Sequence, residues 1–475
     1  MSKVALSVLT DSDIKQIHEA SLKLLYETGV EVEYKPAVEC LKKAGMKVDG
    51  SRVYFDPSYV EKKVAEAPHE FTLYARDPQY NVHIGGDDIA LVSGYGAPFM
   101  IDAGGIRRPS TWEDYMILLK LNHTCPEMDL SGGMLVEPND LDDRTRYLDA
   151  MFAHLRYSTK VPMGCSYGEA GARDTVKLLS AIFGEDEIRE KPVTITLINT
   201  ISPLKLDARQ TSALMEYARW KQPIVIASLV MAGATGPATL AGALTVKNAE
   251  VLAGITLAQT VNPGTPVVYG SASSITDMQT GSVSTSNAED ALMAAATAQF
   301  GKFYGLPSRA GGGLTDSKVV DAQAGYESCM MLMAPVTAGI NFMLHTAGIL
   351  QYWLCMSFEK FMMDVEIASM LKRFKKSITV DENTLAVDVI NKVGPGGHFL
   401  TQMHTKRNHK TELRKAVLSD RQSFEGWAKK KLTTESRAEA LWKKKLTEYQ
   451  DPGLDEAVQK QMQVYIDQRK KELTK

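Results

Sequence analysis

From about residue 90 onward, short apolar runs rich in β-branched residues alternate with segments of helical periodicity. The runs predict strands at Ala90–Ser93, Met128–Gly132, Lys160–Gly164, Val193–Asn199, Pro223–Leu229, Thr265–Gly270, Leu306–Gly311 and Ala338–Met343. Between them, helices are predicted at Trp112–Asn122, Asp142–Tyr157, Ala170–Phe183, Ala208–Trp220, Pro237–Thr260, Asn287–Phe303, Val319–Met333 and Leu350–Leu371. The cadence of about 30–40 residues fits a strand, two loops and a helix. Eight such units predict an α/β chain folded as a closed (β/α)8 TIM barrel over residues 86–378, with a doubly wound open sheet as the structural rival.

The flanks read differently. Residues 1–85 form an N-terminal α/β appendage that starts with a helix capped by Thr10, carrying Ile14, Ile17, Leu24 and Leu25 on one face and stopped by Gly29. Residues 379–475 form a mostly helical C-terminal extension. In it Val380–Val393 reads as a short helix ending in Gly394-Pro395-Gly396-Gly397, and Lys429–Lys431 and Lys443–Lys445 read as solvated faces. The last helix, about Leu454–Leu473, is placed to wrap another subunit, so a homo-oligomer is expected.

Composition narrows the classes. The 475 residues are 44% hydrophobic and 23% charged, which allows a sizeable core. A net charge of -3 makes no case for nucleic acid or an acidic membrane surface. Five cysteines without a C-x-x-C pair predict reduced thiols rather than disulfides or structural zinc. Met1–Thr10 shows no signal peptide and no long apolar run shows a membrane span, so the expected location is the cytoplasm.

In a barrel, chemistry belongs at the C-terminal strand ends. These ends carry Ser93–Phe99, Gly164–Gly168, Asn199-Thr200, Ala232–Gly236, Tyr269–Ser271, Gly311–Gly313 and Gly339–His345. No phosphate-binding glycine motif is among them. Their aromatics, Tyr95, Phe99, Tyr167, Tyr269 and Phe342, with Tyr352, Trp353 and Phe358 following, could hold a quaternary ammonium group by cation–π attraction worth about 0.5–2 kcal/mol each. Any single one of them reads more readily as core packing, but at least two are expected to share a pocket. Glu250, inside Asn248–Gly254, needs a partner or a purpose: it either ties its helix to the barrel or serves the site. Asp277 could lie near a cation, and Asp316 reads as a helix cap. Cys165 reads as a buried thiol rather than a nucleophile. His398 and His404 are six apart, off any single helical face, so a metal-binding H-E-x-x-H site is excluded and a loop-built one is the lesser alternative to structural histidines.

Several motifs together resemble the trimethylamine methyltransferase superfamily, in its branch lacking pyrrolysine. They are Ile17–Ser21 with Glu27–Val30, Gly94–Pro98 with Arg107–Thr111, Asn248–Gly254, Pro266–Gly270, Ala347–Leu350 and Gly394–Leu400. The resemblance spans nearly the whole chain. It implies a (β/α)8 barrel and a methyl acceptor, the corrinoid (cobalamin) of a partner corrinoid protein, with no metal bound directly. Founding members carry pyrrolysine in the eighth-strand segment. The resemblance sets Phe342 at or next to that position, which points away from trimethylamine. It points toward a small quaternary amine such as glycine betaine, proline betaine, carnitine or γ-butyrobetaine. On this reading Tyr95, Tyr269 and Phe342 line a cage, Glu250 sets its electrostatics, His345 is the nearest group for a betaine carboxylate, and His398 and His404 face the corrinoid. No acid or base is required, because the leaving group is a neutral tertiary amine. The alternatives are another barrel enzyme, such as a metal-dependent lyase, and a non-catalytic protein that binds quaternary amines.

Overall fold

The computed structural model describes residues 5–475, so part of the leader reading on Met1–Thr10 lies outside the described residues. Its centre is a curled seven-stranded sheet, parallel throughout: β1 (Ala90–Leu91), β2 (Met163–Gly164), β3 (Ile195–Asn199), β4 (Ile224–Ser228), β5 (Val267–Ser271), β6 (Ser308–Gly311) and β7 (Phe342–Leu344). The strand order is β1-β7-β6-β5-β4-β3-β2. The eighth expected strand, Met128–Gly132, is an irregular segment lying between the two edge strands. The Asp129 N–H donates to the Leu91 carbonyl at 2.8 Å, and the Ser131 N–H donates to the Val161 carbonyl at 2.9 Å. Asp129 also turns its carboxylate onto the Leu91 N–H, taking a ladder position with a side chain.

Strand alternation sorts the core. Ala90, Val92, Ile195, Leu197, Val225, Ala227, Val268, Phe342 and Leu344 form an interior cluster, joined by Leu130 and Met163. Their neighbours Ile198, Ile224, Ile226, Val267 and Tyr269 face outward into the helix layer. A hairpin, Phe71–Leu73 with Val82–Ile84, adds Leu73 and Ile84 to the interior cluster, so the N-terminal region shares its core with the sheet.

The helices flanking the sheet are α1 (Asp11–Glu27), α2 (Trp112–Thr124), α3 (Arg146–Tyr157), α4 (Gly168–Phe183), α5 (Ala208–Arg219), α6 (Leu240–Val261), α7 (Ala288–Tyr304), α8 (Ala322–Ala338) and α9 (Phe358–Lys375). Thr10 caps α1 in a capping box with Asp13. The last strand starts later than its apolar run suggests, because α8 continues to Ala338 and stops at the left-handed Gly339. Likewise α9 begins at Phe358, after Ile349–Leu350 and Cys355–Met356 pair as a small edge sheet. Helix α6 is long and apolar enough to cross a membrane by length and composition, and most of it is buried within the protein.

After residue 417 the chain returns to the sheet domain with α10 (Thr434–Thr447) and α11 (Glu456–Leu473). Helix α11 packs along its own chain. It buries Met462 and Ile466 against its own chain, and Arg469 and Lys470 pair with Asp174 and Asp149.

Candidate functional site

Two small hollows lie at the C-terminal ends of the strands. The first is lined by Tyr95, Gly133, Met134, Tyr147, Met163 and Tyr167, among others. The second is lined by Ser271, Asp290, Arg309, Gly311, His345 and Trp353, among others. Each encloses about 20 Å³. That is room for about one water. The Tyr95 and His345 rings meet edge to face, with centroids 6.5 Å apart, so these two side chains connect the hollows.

Backbone shape brings them together. A Cβ on Gly133 would stand 2.6 Å from the Tyr95 ring. A Cβ on Gly312 would stand 2.8 Å from the Thr346 backbone and 2.9 Å from that of His345. Glycine at both positions therefore permits the close approach of loop to ring and of the β6 loop to the β7 loop. His345 itself takes a left-handed backbone, φ 62°, unusual for a residue with a side chain.

The second hollow holds the more unusual chemistry. Arg309 is 1% exposed, donates to the Ser271 carbonyl at 2.6 Å, and leaves its Nε without a partner. Among the described residues it has no ion pair with a carboxylate, and burial pushes its guanidinium down to about 9. Burial, then the neighbouring Arg309 charge, push the His345 imidazole well below its ordinary value, so it is neutral at physiological pH. Its Nδ1 is buried and unpartnered. Asp290 also has a buried oxygen without a partner. Burial raises its carboxyl to about 7, helped by Asp316 and Glu289 and opposed by hydrogen bonds from Asn287.

Most of the other expected site residues lie elsewhere. Tyr269 is on the outer face of β5: its hydroxyl donates to Asn248 at 2.7 Å and Lys247 Nζ sits 4.4 Å over its ring. Strand alternation sets this, since Val268 is the inward neighbour. Phe342 starts β7 inside the fully buried interior cluster and lines neither hollow. Replacing Phe342 with alanine is expected to cost about 3–5 kcal/mol of stability as a core cavity. Denaturant unfolding checks this; an unchanged midpoint would place the ring outside the core.

Glu250 sits at the strand ends, but its carboxylate is saturated. It accepts from Thr200 at 2.5 Å, Ser228 at 2.7 Å, Leu204 N–H at 2.8 Å and Ser202 at 2.9 Å. Burial raises its pKa while these four donors oppose the rise. Its visible task is to fasten α6 to the loop after β3 and to the end of β4. Phe99 belongs to an inner strand of a small four-stranded sheet, paired on both sides, and Arg107 covers its face at 4.7 Å. Tyr167 reaches the first hollow, but Arg209 lies 4.2 Å over its ring and its hydroxyl donates to Glu137 at 2.5 Å.

His398 is exposed on the segment after α9, and His404 Nε2 is 2.9 Å from the Asn383 carbonyl on the same segment. Neither lines the two hollows. Burial pushes Cys165 up to about 12, so it is an unreactive thiol at neutral pH. Asp277 is engaged with the N–H groups of Gln279 and Thr280. Asp316 accepts from Thr285 and Ser284, and the cap of α8 is Asp321 instead. Among the described residues no three His, Cys, Asp or Glu side chains converge as a metal-binding group.

Sequence reasoning overlooked Arg309, Asp290 and Tyr147. A cue for Arg309 existed: it is the one charged residue in the run Leu306–Gly311.

The family model described as Trimethylamine methyltransferase (MTTB) matches residues 2–474. A glycine betaine methyltransferase of Desulfitobacterium hafniense (strain Y51) is 52% identical over 98% of both chains. A trimethylamine methyltransferase MttB of Methanosarcina barkeri (strain Fusaro / DSM 804) is 31% identical over 99% of this chain and 97% of that one. The crystal structure of the Methanosarcina barkeri monomethylamine methyltransferase (MtmB) superposes with a TM-score of 0.54 and 12% identity, covering 95% of this chain and 90% of that one; the likeness is one of fold. A match of this extent, carried from the first helix to the last, establishes that the chain belongs to the trimethylamine methyltransferase family.

Proposed function

We propose that this chain demethylates a betaine, glycine betaine first among them, passing the methyl group to a corrinoid held by a partner protein in the cytoplasm. Family membership favours this reading over a lyase or a passive binding protein. The observation that carries it is the buried guanidinium of Arg309, which lacks a carboxylate partner among the described residues at the strand ends. Leaving a charge buried without a partner is costly, and a substrate carboxylate relieves that cost. A betaine has such a group; trimethylamine does not.

On this reading the substrate carboxylate takes Arg309, with neutral His345 offering Nδ1 beside it. The quaternary nitrogen lies between the faces of Tyr95 and Trp353. The hollows are too small for this as they stand, so Tyr95 and His345 swing apart to join them. The sheet is on this reading a closed eight-position barrel, with 128–132 filling the gap between β1 and β2. Exposed Ile106, Met278, Val319, Tyr326 and Leu354 lie on segments that follow strands, apolar surface that fits a docked macrocycle and its carrier.

The reaction asks little acid–base chemistry of the protein. As the methyl carbon leaves, the carbon–nitrogen bonding pair returns to nitrogen, giving a neutral tertiary amine with no proton to move. The corrinoid supplies a cobalt(I) nucleophile when docked. Arg309 and His345 fix one end of the substrate, the aromatic faces fix the other, and one methyl points out of the mouth.

Two tests follow. Glycine betaine should methylate free cob(I)alamin in the presence of the enzyme, read by absorbance, while choline, which lacks the carboxylate, should react at least about 10²-fold more slowly. Equal rates would remove the carboxylate site. Between pH 6 and 8, Arg309 stays cationic and His345 neutral, so Asp290 is the titrating group of the second hollow. As pH rises through about 7, Asp290 ionises and attracts the ammonium group, so KM for the betaine should fall. Asp290→Asn should abolish that step; a pH step unchanged in the variant would assign it to another group.

A further inference from the structure

We propose that residues 378–417 form a surface on which two copies of this chain associate. The segment leaves the end of α9 and returns at Leu418, with its end pinned to the body. Glu366 on α9 accepts from Arg414 at 2.8 Å, Ser419 at 2.9 Å, Val417 N–H at 3.1 Å and Leu418 N–H at 3.3 Å. Burial opposes ionisation of Glu366, yet these donors bring it down to about 2. Arg373 pairs with Glu412 at 3.1 Å.

Between those anchors the hydrogen bonds of the segment among the described residues are local. Asp381 and Thr384 form a capping box, His404 meets the Asn383 carbonyl, and Thr405 donates to the Phe399 carbonyl at 2.7 Å. No residue from 378 to 417 is buried. Leu400 is 86% exposed, Ile378 81% and Val380 72%, and Leu385, Val387 and Met403 are exposed with them. The segment frames a groove of about 640 Å³ walled by Val380, Leu385, Val387 and His404. The apolar surface continues onto exposed Met370 and Phe374 of α9.

Together these side chains leave on the order of 1,000 Å² of apolar surface uncovered, beyond the patch a monomer usually shows. Two such faces reach roughly 2,000 Å², the range of permanent homodimers. The kind of cover follows from its permanence. A methyl carrier must dock and depart in every turnover, and transient interfaces are smaller and as polar as ordinary surface. An identical chain, present from synthesis, covers the face continuously. The segment also carries both signs, with four Asp or Glu and six Lys or Arg between 378 and 417, which suits self-pairing better than a partner of one sign.

Light scattering on the full chain at micromolar concentration should give a mass of two copies or a closed multiple of two. The variant Val380→Asp/Leu400→Asp should reduce it to one copy while keeping the helical circular dichroism, because both side chains are exposed in a single copy. Hydrogen exchange should show the segment protected in the wild type alone and open in the variant. Should the double variant precipitate, Met403→Lys offers the same reading. A monomeric wild type, a variant that keeps the wild-type mass, or protection that arises only when a corrinoid protein is added would each overturn the proposal.

Discussion

Replacing Arg309 with methionine is expected to lower kcat/KM for glycine betaine by about 10²-fold or more while leaving stability within about 2 kcal/mol of wild type. The two effects separate for a physical reason. Burying a guanidinium without a counter-charge is unfavourable, and a flexible apolar side chain of similar length relieves that cost. Against this stands the loss of the bond to the Ser271 carbonyl, leaving one acceptor unpaired. Binding has no such compensation, since two charge-assisted bonds to a carboxylate disappear. Arg309→Lys keeps the charge but not the planar fork, and should fall between. Steady-state kinetics beside denaturant unfolding reads both quantities. A variant that loses stability and activity in parallel would make Arg309 a structural residue.

The second large effect concerns the loops that hold this site. Lys360 and Asp364 on α9 form an ion pair at 2.5 Å, and both side chains are fully buried. Lys360 also donates to the Gly313 carbonyl at 3.0 Å and to Ser328 at 2.9 Å, and Asp364 accepts from the Gly348 N–H at 2.8 Å. One pair thus fastens the loops after β6 and β7, which carry Leu314 and His345 to the second hollow. Burial pushes Lys360 down and Asp364 up, so each ion depends on the other. Lys360→Met should cost about 3–5 kcal/mol, because it strands a buried carboxylate. Lys360→Met/Asp364→Leu should recover more than half of that loss. Urea unfolding of the three proteins tests it; a single variant as stable as wild type would show that the carboxyl is already neutral.

Much of the fold is legible because the central strands are short, continuous apolar runs set between helical segments. The runs at Val193–Asn199, Pro223–Leu229 and Thr265–Gly270 became β3, β4 and β5 within a residue or two. Met128–Gly132 failed as a strand because Asp129 spends its side chain on the Leu91 N–H, a substitution that hydrophobic pattern does not register.

The site was less legible. Naming Tyr269 as a cage residue overlooked the two-residue period, which turns it outward once Val268 faces in. Glu250 stood out as an acid in an apolar helix, but whether it serves substrate or scaffold depends on donors about 22 to 50 positions away. Arg309 is hard to read from sequence because a charge within an apolar run looks like an interruption. Only the packing shows that it is buried with nothing of its own to neutralise it. His345 was named for its nearness to the last strand end, and it does line the second hollow.

The most direct measurement is a crystal structure with glycine betaine bound. The substrate should lie at the C-terminal strand ends with a carboxylate oxygen about 2.7–2.9 Å from the Arg309 guanidinium. Its nitrogen should rest against Tyr95 and Trp353, and one methyl should face away from Arg309 toward solvent. An ordered betaine whose carboxylate meets a different group, with Arg309 untouched, would contradict the assignment.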